Sequence, residues 1–375
     1  MPHVGINAHL LSGQSGFRSA GIHGYLWQTL SHLAAEAPPD WRFTVMCGRD
    51  SAADIPGLQM RRSGLDTRNP LRRLLWEQLA QPFQCGTFDL LHAMAFVGPL
   101  LQTRPLVVTV YDLSFLRYPR LLPAARRRYL QLLSRHTCQR ARRVIAISQS
   151  TATDLVDLLD IPPERIDIAL PGVDRERFRP LPRAEVETFR QRMGLSERFW
   201  LFIGTLEPRK NLVTLLEAYA RLPSRLPLVI AGARGWDYAG IHATVERRGL
   251  KNEVLFPGFL PADELPLWYN CAEVFVYPSL YEGFGMPVLE AMACGAPVIV
   301  ADASSLPEVA GVDGTCLPPM EVDAWADALQ HSLLSAGWRD QERRRGLQRA
   351  RRFNWRATAG RTIRSYAWAL NQARP

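Results

Sequence analysis

Short continuous apolar runs recur along the chain, each closed by glycine, proline or a polar turn. They stand at residues 3–7, 43–47, 89–92, 107–111 and 144–148, and again at 200–204, 228–231, 254–256, 274–277 and 298–301. Apolar runs without alternation predict strands covered on both faces, the pattern of parallel sheets. Helical spacing fills the intervals. The segment after Gly21, for example, places Tyr25, Leu26, Thr29, Leu30 and Leu33 on one face. Strand, turn and helix in alternation predict an α/β fold of doubly wound sheets. At 375 residues the chain is long for one core, so two domains are expected. The stretch from Pro171-Gly-Val-Asp174 through Pro180-Leu-Pro182 reads as the linker between them.

Composition narrows this picture without redirecting it. Hydrophobic residues at 47% and charged residues at 22% describe an ordinary globular protein. No apolar run approaches the roughly 18 residues of a membrane-spanning helix, and no signal-like start is present, so a cytoplasmic location is expected. The six cysteines (Cys47, Cys85, Cys138, Cys271, Cys294 and Cys316) lack paired metal-ligand spacing and read as reduced core thiols. A net charge of +9 points to acidic partners, whether nucleic acid, anionic lipid or nucleotide. Positions 113–153 hold nine arginines and no acid. A helix from about Ala124 would put Tyr129, Leu132, Leu133 and Thr137 on one face. Two readings stay open for it: a basic amphipathic segment lying on anionic lipid at the inner face of the membrane, or a solvated helix whose apolar stripe faces the sheet. No nucleic-acid-binding motif accompanies the charge, so nucleic acid is not an expected partner.

The densest chemistry runs from Tyr277 to Pro307. The apolar run 274–277 leads into Gly283-Phe-Gly285, and Pro287 and Gly295 suit the first helical position and the residue past the last turn of a short helix. A helix N-terminus behind a glycine loop offers backbone N–H groups to an anion. Glu282 and Glu290 flank it, and carboxylates there are suited to accept hydrogen bonds from sugar or ribose hydroxyls. The chain lacks GxGxxG, which removes the best support for a dehydrogenase. Almost all the positive charge is arginine. Lys210 and Lys251 are the only lysines, which suggests that a point charge on a flexible stem is wanted at 210.

The segment Glu282-Gly-Phe-Gly-Met-Pro-Val-Leu-Glu290, with Ala-Met-Ala-Cys-Gly-Ala-Pro-Val and Ser-Ser-Leu-Pro-Glu308 after it, closely resembles the signature of family 4 glycosyltransferases. Gly204-Thr-Leu-Glu-Pro-Arg-Lys-Asn211, Thr109-Val-Tyr-Asp-Leu-Ser-Phe115 and Pro171-Gly-Val-Asp174 match in order and spacing, so the resemblance covers most of the chain. It implies the GT-B fold, two doubly wound Rossmann-like domains facing across a cleft. The acceptor-side domain would be 1–178 and the nucleotide-sugar domain 179–353, with a terminal helix over 354–375 crossing back to the first domain. It also implies retaining transfer of a hexose, with mannose from GDP-mannose as first choice, to a glycan or lipid-linked acceptor in cell-surface polysaccharide assembly. No metal or other cofactor is expected, since fixed cations and amides can stabilise the departing diphosphate.

By the same resemblance, Lys210 and Arg209 would hold the diphosphate, and Glu282 with the amides of Gly283 to Met286 the sugar hydroxyls. Glu290 would hold the ribose, with further donor contacts at Gly21, Gly204, Thr205, Gly283, Phe284, Gly285 and Met286. Thr205 stands where many relatives carry arginine, which would shift load to Arg209. Asp112 would orient sugar or acceptor hydroxyls, and Tyr111 replaces a histidine that touches the donor sugar in relatives. Three alternatives stay in view: a UDP-sugar transferase, since UDP-sugar enzymes of the family use similar wording; a donor-binding homologue without turnover, motivated by Tyr111; and a sugar-nucleotide epimerase of the same fold.

Overall fold

The computed structural model describes residues 1–11, 21–49, 54–67, 69–101, 103–119 and 124–371. Positions 12–20, which carry Gly13 and Gly16 of the glycine-rich stretch between Leu11 and Gly21, lie outside the described residues. The chain divides into two compact units, one formed by Met1–Gly172 with Asn354–Pro375, the other by Val173–Phe353.

The first unit carries a seven-stranded parallel sheet. Its strands are β1 (His3–Asn7), β2 (Arg42–Cys47), β3 (Gln59–Arg62), β4 (Leu90–Ala93), β5 (Leu106–Val110), β6 (Arg143–Ala146) and β7 (Ile166–Ile168), in the order β3-β2-β1-β4-β5-β6-β7. The five strands expected from apolar runs are present to within a residue or two. The edge strands β3 and β7 were not legible, because Gln-Met-Arg-Arg and Ile-Asp-Ile are not apolar runs. Strand β5 ends at Val110, so Tyr111 falls just beyond it.

Both expected flanking helices form. Helix Ile22–Glu36 buries Tyr25, Leu26, Thr29, Leu30 and Leu33, the face read from the spacing. The terminal helix Trp355–Asn371 packs against it, with Trp355 edge-on to Tyr25 at 5.6 Å and Arg356 paired with Glu36 at 2.7 Å. Fully buried Tyr366 meets His92 Nδ1 at 2.6 Å through its hydroxyl. Burial holds that imidazole down at about 3, hence neutral at physiological pH. Glycine is required at 172, where a Cβ would lie 2.3 Å from the backbone nitrogen of Trp355. In the basic helix Ala124–Arg140 the expected face is corrected at one position. Thr137 is buried and Tyr129 and Leu133 partly so, but Leu132 is 71% exposed, since three residues after 129 it lies at the edge of the stripe rather than within it.

The second unit is built the same way. Strands β8 (Trp200–Ile203), β9 (Leu228–Ala231), β10 (Val254–Gly258), β11 (Val274–Tyr277), β12 (Val298–Ala301) and β13 (Thr315–Leu317) form a parallel sheet in the order β10-β9-β8-β11-β12-β13. Short β13 had no apolar run to announce it. The winding direction reverses between β8 and β11, and a crevice at the carboxyl ends of the strands opens at such a point. The loops leaving these two strands, at 204–211 and 278–285, are the two segments in which the sequence concentrates its chemistry.

Candidate functional site

Each side chain of the site is set by a short local device. After β8 the chain makes a single turn of 3-10 helix, Pro208–Lys210, and Asn211 then takes a left-handed conformation (φ 56°) that starts helix Leu212–Ala220. Asparagine tolerates that region better than most residues. Its side chain donates to the carbonyls of Pro278 at 3.2 Å and Pro319 at 2.6 Å, which ties this turn to the loop after β11. Leu280 N donates to the Arg209 carbonyl at 2.9 Å, a second tie.

The turn brings Arg209 and Lys210 onto Glu282, about seventy residues away in sequence. Lys210 Nζ lies 2.5 Å from Glu282 Oε1 and donates to the Tyr277 hydroxyl at 2.7 Å. Arg209 Nη1 is 3.1 Å from Glu282 Oε2, and its Nη2 is 2.6 Å from Glu207 Oε1. Only 6% of Lys210 and 9% of Glu282 is exposed. Burial by itself would raise the Glu282 carboxyl, but Arg209 and Lys210 outweigh it and hold the pKa down at about 2. Burial draws the Lys210 ammonium below its ordinary range, and Glu282 opposes that shift. The result is an ionised carboxylate between two cations.

The loop carrying Glu282 is clamped from β12. Ser304 Oγ accepts from Glu282 N at 2.8 Å, and Ser305 Oγ donates to the carbonyls of Glu282 and Phe284 at 2.9 and 2.8 Å. Gly285 has φ 105° and precedes helix Met286–Ala293, which places Pro287 second in the helix rather than first. A Cβ at 285 would lie 2.8 Å from Leu306 Cδ2, so both backbone conformation and space call for glycine. Gly295, at φ 82°, follows the helix as expected. The Phe284 ring packs edge-on against Phe353 at 5.6 Å and is buried, which leaves its backbone as the part able to meet a ligand. Glu290 is half-buried and accepts from the Tyr269 hydroxyl at 3.0 Å. Burial lifts its carboxyl to about 7 against the opposing pull of Tyr269 and Arg177.

Lys210, Arg209, Glu282 and the 283–286 loop therefore come together, and Glu290 stands one turn into the helix. Gly204 closes β8 beside Lys210, with its Cβ position 3.6 Å from Lys210 Cε, and Thr205 beyond it is exposed. The remaining predicted residues belong to the first unit. Gly21 caps helix Ile22–Glu36 at φ 67°. Tyr111 is 4% exposed, stacks edge-on against Tyr25 at 5.3 Å and donates to the Met94 carbonyl at 2.7 Å. Asp112 Oδ1 accepts from Ser114 N at 2.8 Å, opening the short helix Ser114–Arg117.

Sequence reasoning gave no role to Tyr277, to the Ser304 and Ser305 clamp, or to the loop after β9. In that loop Gly232 passes so close to Gly204 that a Cβ would lie 1.9 Å from its carbonyl oxygen, and Gly235 N donates to the Leu206 carbonyl at 3.0 Å. The signal was Gly232-Ala-Arg-Gly235 directly after an apolar run, the same grammar as Gly283-Phe-Gly285.

Two family models match the chain. The one described as glycosyl transferases group 1 covers residues 185–352, and the one described as glycosyltransferase family 4 covers residues 21–177. Among curated proteins, O-antigen chain mannosyltransferase B of Escherichia coli is 36% identical over 265 residues, 69% of either chain. Among solved structures, sucrose-phosphate synthase of Thermosynechococcus elongatus superposes with a TM-score of 0.78 at 22% identity over 98% of both chains. The Anabaena protein HepE in complex with UDP-glucose gives 0.73 at 21% identity over 97% of this chain and 99% of that one.

Proposed function

The chain belongs to glycosyltransferase family 4 and has the GT-B fold, and from that premise we propose a retaining, metal-independent hexosyltransferase that extends a cell-surface polysaccharide. Mannose from GDP-mannose is the first choice of donor, and a glycan or lipid-linked saccharide the acceptor. The observation that carries this reading is Glu282, held ionised between Lys210 and Arg209 in the loop ahead of helix Met286–Ala293.

A carboxylate with a pKa of about 2 cannot serve as a proton donor near neutral pH, but it accepts hydrogen bonds well. Glu282 therefore takes the sugar's hydroxyls. The two cations and the N–H groups at 283–286 take the diphosphate, whose charge grows as the bond from the anomeric carbon to phosphate oxygen breaks. The acceptor oxygen forms its bond to that carbon from the same face, and its proton passes to the departing phosphate. Glu290 accepts from the ribose hydroxyls.

The donor choice follows the O-antigen relative, whose name makes it a mannosyltransferase. A UDP-sugar donor is the second reading, favoured by HepE, which was solved with UDP-glucose. Thermal shift across GDP-, UDP-, ADP- and dTDP-sugars, followed by product analysis, separates the two. Transfer should persist in EDTA. Activity abolished by chelator and restored by manganese or magnesium would overturn the metal-free mechanism, and isomerised free sugar without transfer would overturn the reaction class.

A further inference from the structure

In a doubly wound fold a flanking helix turns its apolar stripe to the sheet and its polar face to water. One segment of the first unit turns an apolar row outward as well. Asn69 caps it by accepting from Leu71 N at 2.9 Å and Arg72 N at 3.3 Å. It then runs from helix Pro70–Leu75 through a π turn, Trp76–Ala80, into helix Gln81–Gln84. Its inner face carries Trp76, buried in the core with Ala80 against it, beside polar Glu77 and Gln81, both buried and both accepting from Asn7 Nδ2 at 3.3 Å. Its outer face carries Leu71, Leu75, Leu79 and Phe83, which are 71%, 55%, 62% and 89% exposed.

The four positions repeat every four residues. In a regular helix of 3.6 residues per turn such a row drifts by about 40° at each step. The wider π turn between Leu75 and Leu79 counters the drift and keeps the row on one side. The apolar surface continues next to it. Gln78 Oε1 accepts from Leu100 N at 2.9 Å, which brings the 77% exposed Leu101 alongside. A row of this kind exposed to water asks for a cover.

Charge identifies the cover. Residues 69–143 hold twelve arginines and three acids; Arg117, Arg135 and Arg143 pair with Asp154, Asp160 and Asp167, which still leaves an excess of six positive charges in this part of the unit. The acid within the helical segment, Glu77, is the buried one. Exposed Arg72 sits beside Leu71. One residue from Leu100, Pro99 opens a hollow of about 160 Å³ lined by Arg104, His136, Arg140 and Arg142 and by no carboxylate. A second copy of the chain would bring the same positive surface against itself, which disfavours self-association through this face.

We propose that this face docks on an anionic lipid bilayer, with the Leu71, Leu75, Leu79 and Phe83 side chains entering the interface and the flanking guanidinium groups meeting lipid phosphates. The basic helix Ala124–Arg140 then contributes charge while the segment 69–84 supplies the apolar anchor. Such docking would bring the protein to a lipid-linked acceptor, but the binding itself does not depend on that reading and is measured without donor or acceptor.

The test is flotation of the full chain with phosphatidylcholine vesicles, with and without phosphatidylglycerol. Wild type should float with the phosphatidylglycerol vesicles and lose binding as salt is raised. A Leu75→Ser, Leu79→Ser, Phe83→Ser triple variant should show at least about a tenfold lower partition coefficient with an unchanged melting curve. Wild type that ignores anionic vesicles overturns the proposal whatever the variant does, as does binding that the triple variant retains in full. Sedimentation velocity supplies the third arm. A wild-type dimer that the triple variant dissolves would reassign the row to a second copy, and loss of binding to an acidic protein rather than to vesicles would reassign it to a protein partner.

Discussion

Replacing Lys210 with methionine keeps the volume of the side chain and deletes its charge, leaving Glu282 buried with Arg209 as its nearby cation. A carboxyl moved from its ordinary 4.5 to about 2 is worth about 3 kcal/mol of folding stability above pH 4.5. Arg209 supplies part of that shift. Lys210, through its charge and its 2.5 Å hydrogen bond, and Ser279 supply the rest, and burial of the Lys210 ammonium offsets part of it, so Lys210→Met should remove about 1 kcal/mol or more at pH 7. The sign with pH follows from the direction of the shift. Because the folded pKa is depressed, the contribution is fully present above 4.5 and is lost as pH falls toward 2. The stability gap between wild type and variant should therefore be widest at pH 7 and close steadily below pH 4.5. Urea denaturation at a series of pH values reads this directly. A gap that is absent at pH 7, or that stays constant down to pH 3, would refute the view that Lys210 holds Glu282 ionised. Turnover of the same variant should fall further than donor affinity, because the charge on the leaving diphosphate grows toward the transition state.

Three further outcomes are expected. Burial lifts the Glu290 carboxyl to about 7, so under the proposed contact of its ionised form with the ribose hydroxyls donor affinity should weaken by up to about tenfold per pH unit below 7. Glu290→Gln should flatten that dependence in calorimetric titrations. Gly285→Ala forces a Cβ to 2.8 Å from Leu306 at a φ of 105°, and should cost about 1–3 kcal/mol in thermal unfolding; an unchanged melting temperature would show that the loop relaxes freely. Tyr111→Phe should lower stability by about 1 kcal/mol through the lost bond to the Met94 carbonyl, and transfer assays across the donor panel show whether the phenol also touches the sugar. Identical donor ranking and rate would assign position 111 to the core alone.

What the sequence determined by itself is local and periodic. Continuous apolar runs announced ten strands, because a parallel strand covered on both faces needs nothing else. Gly285, Pro287 and Gly295 announced helix Met286–Ala293, because cap conformations are written in single residues. The family signature then assigned roles to residues within those segments. Three things had to wait for the tertiary structure. The edge strands Gln59–Arg62, Ile166–Ile168 and Thr315–Leu317 are half-exposed, so their residues satisfy no pattern, and only pairing with a neighbour defines them. The contact of Lys210 with Glu282 joins residues separated by 72 positions, and its consequence, a carboxyl held at about 2, depends on distance and burial that no motif encodes. The row of exposed leucines at 71, 75 and 79 has the spacing of an ordinary core stripe. Only the side of the helix that meets Asn7 reveals that Glu77 and Gln81 face inward and the leucines outward, because hydrophobic period fixes which residues share a face but not which face the sheet will cover.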